Sequence, residues 1–243
     1  MSKVWLVTGS ASGLGRNIAE AVLASGDRLV ATARDPRRLE DLVKKYGDQM
    51  RTAPLDVTDE REAYAAVQTA VDAFGRLDVV VNNAGYADIA PFEQLSAERF
   101  KAVVDTNFYG IVNVCRVAIP IMRKQKSGCI LQISSVGGRL ARPGNSPYHA
   151  AKWAVGGFTE SLAQELAPFG VNGCALEPGG MRTNWVRART KILRTCSRTM
   201  NRPSAQSSRL WSLTGATRPA TQSRSLRSSF DWLPPIACLH ISC

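Results

Sequence analysis

Acidic residues all but disappear from the end of this 243-residue chain: from Val186 to Cys243 there is one, Asp231, against nine arginines and Lys191. An ordinary globular stretch of that length would hold roughly six or seven. Most of the formal net charge of +11 therefore belongs to this segment. Gly215 is its only glycine, and its serines and threonines follow no helical or strand period. We divide the chain accordingly into residues 1–185 and a basic Ser/Arg/Thr-rich tail, 186–243. The tail reads as disordered or as an out-of-frame translation that was never selected to fold. A nucleic-acid-binding arm is disfavoured, because the arginines are dispersed and Trp211, Phe230 and Trp232 form no repeated stacking pattern.

Other absences narrow the class. The six cysteines have no Cys-x-x-Cys spacing and there are only two histidines, so no metal site is expected. No apolar run approaches the ~20 residues of a membrane span. The start lacks a signal-peptide pattern, and His240-Ile241-Ser242-Cys243 lacks a prenylation cysteine. Reduced thiols in the cytoplasm are the expectation.

What is present begins at Val4. An apolar run, Val4 to Val7, ends in Thr8-Gly9-Ser10-Ala11-Ser12-Gly13-Leu14-Gly15, and an alanine-rich helical stretch follows from Asn17 to Ala24. Strand, glycine turn, helix is the arrangement that presents backbone N–H groups and a positive dipole end to a phosphate. A tight turn without a ligand would use the same residues, and the spacing departs from G-x-G-x-x-G.

A second strand from Arg28 ends in Arg34-Asp35-Pro36. An acidic residue here would bind the ribose 2′-hydroxyl of NAD, whereas an arginine would meet the 2′-phosphate of NADP. Asp35 directly before proline also fits a helix N-cap. If Asp35 caps, Arg34 is left for the phosphate, and NADP(H) is favoured over NAD(H). Further strands are expected from Arg51, Asp78, Gly128 and Val171. They lead into Leu55-Asp56-Val57, Asn82-Asn83-Ala84-Gly85 and Ser134-Ser135. Asn107 opens another helical stretch and could simply cap it. Strands alternating with amphipathic helices predict an α/β fold, a doubly wound parallel sheet in a single domain.

Tyr148 and Lys152 stand four apart in Pro147-Tyr148-His149-Ala150-Ala151-Lys152. On a helix both side chains share a face. The ammonium is expected to lower the phenol pKa from its ordinary ~10 toward a value useful in proton transfer.

Taken together the motifs resemble the short-chain dehydrogenase/reductase family, in its single-domain type, over about residues 4–185. The resemblance rests on Thr8 to Gly15, Asn82 to Gly85, Tyr148 with Lys152, and Pro178-Gly179 after the sixth strand. It implies catalytic Asn107, Ser135, Tyr148 and Lys152, with Ser135 chosen over Ser134 by its distance from the tyrosine. It implies a cofactor site of Gly9, Ser12, Gly13, Leu14 and Gly15, then Arg34, Asp56, Val57, Asn83, Ala84 and Gly85. Tyr148, Lys152, Pro178, Gly179 and Thr183 complete that site. The implied activity is hydride transfer between a nicotinamide and a small carbonyl or alcohol. A homo-oligomer built on the helices after Asn107 and from Tyr148 to Phe169 is also implied. The tail does not match the family's substrate lid and last strand. The alternatives are therefore a weakened or inactive product and a non-enzymatic NADP-sensing regulator.

Overall fold

Along β1 (Val4–Val7), side chains alternate between two separate cores. Val4 and Leu6 belong to one and Val7 to the other, with Trp5 packed beside it. The same division runs through β2 (Arg28–Ala33), where Val30 faces one way and Leu29, Ala31 and Ala33 the other. It recurs in β4 (Val79–Asn82) and β5 (Gly128–Ile133), with Val80 and Ile130 opposed to Val81 and Leu131. Strands buried on both faces read as continuous apolar runs, which is why these were visible in the sequence.

The computed structural model describes residues 2–179. Thr183, the tail 186–243 and the question of a last strand lie outside the described residues. With β3 (Met50–Pro54) and β6 (Val171–Leu176) the sheet has six strands in the order β3-β2-β1-β4-β5-β6. Every neighbouring pair is parallel. Chain order reverses between β1 and β4, the switch point where loops diverge and leave a crevice at the carboxyl ends.

The helices are α1 (Gly13–Ala24), α2 (Glu40–Tyr46), α3 (Glu60–Phe74), α4 (Ala97–Val104), α5 (Gly110–Gln125) and α6 (Ser146–Leu166). Residues of α3, α5 and α6 share one core, and those of α1 and α2 the other. The expected strand starts lie within one residue of those observed. The helix expected from Tyr148 to Phe169 begins two residues earlier and finishes in a 3-10 turn, Ala167–Phe169. Among the described residues no helix is long and apolar enough to cross a membrane, and no cluster of side chains could hold a metal.

Candidate active site

The carboxyl ends of β1 and β4 are tied together by side chains. Thr8 Oγ1 accepts from the backbone N–H groups of Asn83 and Ala84, both at 2.9 Å. Asn83 returns the link, its amide donating to the carbonyls of Thr8 at 2.8 Å and Gly9 at 3.3 Å. The glycine turn is thus shaped from the fourth strand. Gly9 adopts φ of +69°, and a Cβ on Gly15 would collide with the Gly9 carbonyl and the Asn83 amide. Ser12 stands at the N-cap of α1 but its side chain makes no capping hydrogen bond. Gly13 and Leu14 therefore open α1 with N–H groups that no side-chain cap occupies. A cradle that admits no Cβ, at the uncapped start of a twelve-residue helix, fits a dinucleotide pyrophosphate.

Around this turn Arg34, Asp56 and Val57 follow the carboxyl ends of β2 and β3, at the same end of the sheet. Asp35 acts as the predicted cap, accepting from the Arg37 N–H at 3.2 Å, and it also pairs with the Arg37 guanidinium at 2.8 Å. Arg34, beside it, is exposed. Asp56 accepts from the N–H and hydroxyl of Thr58 at 3.0 and 2.7 Å. Those bonds, with a smaller contribution from the Arg34 charge, hold its carboxyl below the usual range. The carbonyl of Val57 is fixed by Asn113 on α5, at 3.0 Å. Pro178 accepts from the Val136 N–H at 3.2 Å, bringing the turn after β6 against the segment that carries Ser135.

The four expected catalytic residues converge. Ser135 follows β5, and its hydroxyl stands toward Tyr148, in the first turn of α6, where it favours the phenolate. Lys152, one turn further, is 4% exposed; its Nζ lies 5.6 Å from the centre of the tyrosine ring and donates to the Ile133 carbonyl at 2.7 Å. Asn107 is fully buried and donates to the carbonyls of Tyr86 at 2.7 Å and Val103 at 2.9 Å. Its Oδ1 has no partner among the described residues. A Cβ built on Gly85 would come within 2.5 Å of that oxygen and 3.8 Å of Lys152 Nζ, so both groups border the same narrow space.

Two expectations need correction here. Asn107 does not open or cap a helix: it lies within a π-helical turn, Asp105–Tyr109, that joins α4 to α5 in one continuous run. Such wide turns release a residue from the regular ladder and recur at functional sites. The second concerns charge. Burial pushes the Tyr148 hydroxyl above its ordinary pKa, only partly offset by the Ser135 hydrogen bond, while burial lowers Lys152 to about 8. Within the chain itself desolvation outweighs the expected pull of the ammonium on the phenol.

Thr8 and Asn113 are supports that motif reading did not single out as site residues. Asn113 carries a faint signal, a polar residue on the buried face of an apolar helix. A third polar cluster joins Asn82, Gln132 and Cys115, with Asn82 Nδ2 donating to Gln132 Oε1 at 2.8 Å. Burial pushes the Cys115 thiol up to about 11, which makes it inert at neutral pH. Among the described residues no two cysteines are joined by a disulfide.

The family profile described as short chain dehydrogenase matches residues 3–193. The chain belongs to that family. The match extends a few residues beyond the last motif near Trp185. Oxidoreductase BOA17 of Botryotinia fuckeliana is 49% identical over 193 residues, covering 79% of this chain and 70% of that protein. A solved short-chain dehydrogenase from Streptomyces avermitilis superposes with a TM-score of 0.73 at 41% identity, covering 76% of this chain and 68% of the other. The 3-ketoacyl-(acyl-carrier-protein) reductase of Brucella melitensis, solved in complex with NADH, gives 0.73 at 32% identity, with coverage of 76% and 78%. The chain spans 62 to 70% of the length of four curated oxidoreductase relatives. Membership makes it an oxidoreductase by family, with a nucleotide-binding sheet of the Rossmann type.

Proposed function

We propose that the chain interconverts a carbonyl and an alcohol with NADP(H), using Tyr148 as general acid/base. The observation that carries this is the buried Lys152 ammonium beside the Tyr148 ring, with the Ser135 hydroxyl acting on the same phenol. When bound, the nicotinamide supplies the hydride in reduction and takes it in oxidation. Tyr148 gives the carbonyl oxygen its proton in reduction and removes it in oxidation. Ser135 donates to the same oxygen, orienting it and stabilising the charge that develops there. Lys152 would hold the ribose hydroxyls. Asn107 Oδ1, short of a partner, is suited to anchor a water on the proton path from Lys152 to solvent.

NADP(H) is preferred over NAD(H) because Asp35 is engaged as a cap and Arg34 is exposed at the end of β2. The substrate is a small-molecule carbonyl or alcohol. The proposal includes a homo-oligomer, since Tyr109 and Trp153, on the two helices expected to self-associate, stand 53% and 55% exposed. It also includes cytoplasmic placement. The test is NADPH consumption against a panel of ketones and aldehydes, run beside a cofactor titration by tryptophan quenching. Turnover with tight NADPH binding is expected. Tight binding without any turnover would favour the NADP-sensing regulator, and no binding of either dinucleotide would refute both.

A further inference from the structure

His149 follows the candidate acid/base tyrosine and is only 9% exposed. Its ring bridges two points of the segment after β5. Nδ1 lies 2.8 Å from the Gly137 carbonyl oxygen, and the Arg142 backbone N–H donates to Nε2 at 3.0 Å. A nitrogen that accepts carries no hydrogen, so Nε2 is bare and Nδ1 holds the proton. Nδ1–H therefore donates to Gly137. Gly137 in turn donates its own N–H to Ser135 Oγ at 3.0 Å. Three hydrogen bonds thus run in sequence, from Arg142 through the imidazole and Gly137 to the serine oxygen that stands toward Tyr148.

The direction of these bonds matters. With the Gly137 N–H occupying one acceptor position of Oγ, the serine proton is left to point at Tyr148 or at a substrate oxygen. The packing leaves little slack: a Cβ on Gly137 would sit 3.0 Å from His149 Nδ1 and 3.1 Å from Tyr148 Cε1. The Tyr148 and His149 rings are themselves in edge contact, centroids 6.1 Å apart. Position 149 thereby couples the residue that carries the acid/base hydroxyl to the residue that aims the serine.

We propose that His149 is a positioning residue, which fixes Gly137 and so holds the Ser135 hydroxyl in line with Tyr148. The inference rests on the reading of Ser135 and Tyr148 as the reacting pair. Its chemical requirement is a donor on the Nδ1 side. Asparagine can place an amide N–H there, glutamine can mimic only the Nε2 acceptor, and phenylalanine keeps the ring but neither bond.

The test uses the full chain carrying His149→Phe, His149→Asn or His149→Gln, with NADPH and the ketone and aldehyde panel, alongside Tyr148→Phe. His149→Phe is expected to lower kcat about tenfold or more while leaving the NADPH dissociation constant unchanged. His149→Asn should recover most of that loss and His149→Gln should not. Nitrogen-15 NMR of histidine-labelled parent protein should show the neutral Nδ1–H tautomer at His149, a readout that needs no turnover. Parental kcat in His149→Phe, equal rates in the Asn and Gln variants, or an Nε2–H tautomer would each overturn the proposal. Should His149→Phe not fold, the Asn–Gln comparison and the tautomer decide. An active Tyr148→Phe would instead remove the catalytic reading, whereas an inactive one beside an unimpaired His149→Phe removes only this inference.

Discussion

Lys152 Nζ lies 5.6 Å from the centre of the Tyr148 ring but gives a hydrogen to the Ile133 carbonyl. The two groups are neighbours on α6, and the ammonium is held by the end of β5. Both pay for burial, the phenol shifting up and the ammonium down to about 8.

That shift makes Lys152 a stability determinant with a definite sign. Its pKa is lower folded than unfolded, so between about pH 8 and its ordinary 10.5 the unfolded chain binds more protons. Stability must therefore rise with pH across that window, and below it the folded chain carries the buried charge at full cost. The contribution is on the order of 3 kcal/mol. In Lys152→Met this rise should be missing. Urea unfolding of both proteins at about pH 7 and pH 10 measures it; parallel behaviour of parent and variant would show that the ammonium is better solvated than its burial implies.

Tyr148→Phe keeps the ring and its edge contact with His149 but removes the hydroxyl that faces Ser135. Turnover should fall by about 10²–10⁴-fold, the usual scale of general acid/base contributions. Cofactor affinity should hold within error. Steady-state rates and a quenching titration on one preparation separate the two.

Arg34→Asp should move preference from NADPH toward NADH. A hydrogen bond to a charged phosphate contributes about 1.5–3 kcal/mol, so the ratio of kcat/KM values should change by at least about tenfold. The neighbouring Asp35 cap is left in place, which keeps the helix start intact. An unaltered ratio would return the choice of cofactor to Asp35.

Gly15→Ala tests the cradle. Its Cβ would meet the Gly9 carbonyl, a backbone atom that cannot rotate aside. Overpacking of this kind costs about 1–3 kcal/mol, and the shifted turn should also lose dinucleotide binding. Thermal unfolding with and without NADPH should show a lower midpoint and no stabilisation by the cofactor.

The centre of the sheet was legible because β1, β2, β4 and β5 are apolar on both faces, and β2 and β5 could be placed from residue types alone. The Tyr148–Lys152 face, the Asp35 cap and the glycine turn were legible because each depends on local spacing. What escaped depends on long-range geometry. The π-turn at Asn107 leaves no local pattern, since Thr106 and Phe108 would suit an ordinary helix equally well. The reach of His149 to Gly137 and Arg142, and of Thr8 to Asn83, joins residues whose proximity only the folded chain creates. The direction of the Tyr148 pKa shift escaped for a similar reason: spacing reveals a neighbouring charge but not how dry the surroundings are.

The wide turn between α4 and α5 has a consequence for how this rod can change. Each residue of a regular spiral advances the heading by about 100°. Excising a single residue to tighten Asp105–Tyr109 would swing Val103 and everything before it around the axis relative to α5. Asn113 would keep its grip on Val57, while Asn107 would lose either Tyr86 or Val103 as a tether. The irregular winding is the phase setting between two halves of one rod, and a straighter rod would be out of step with the sheet beneath it.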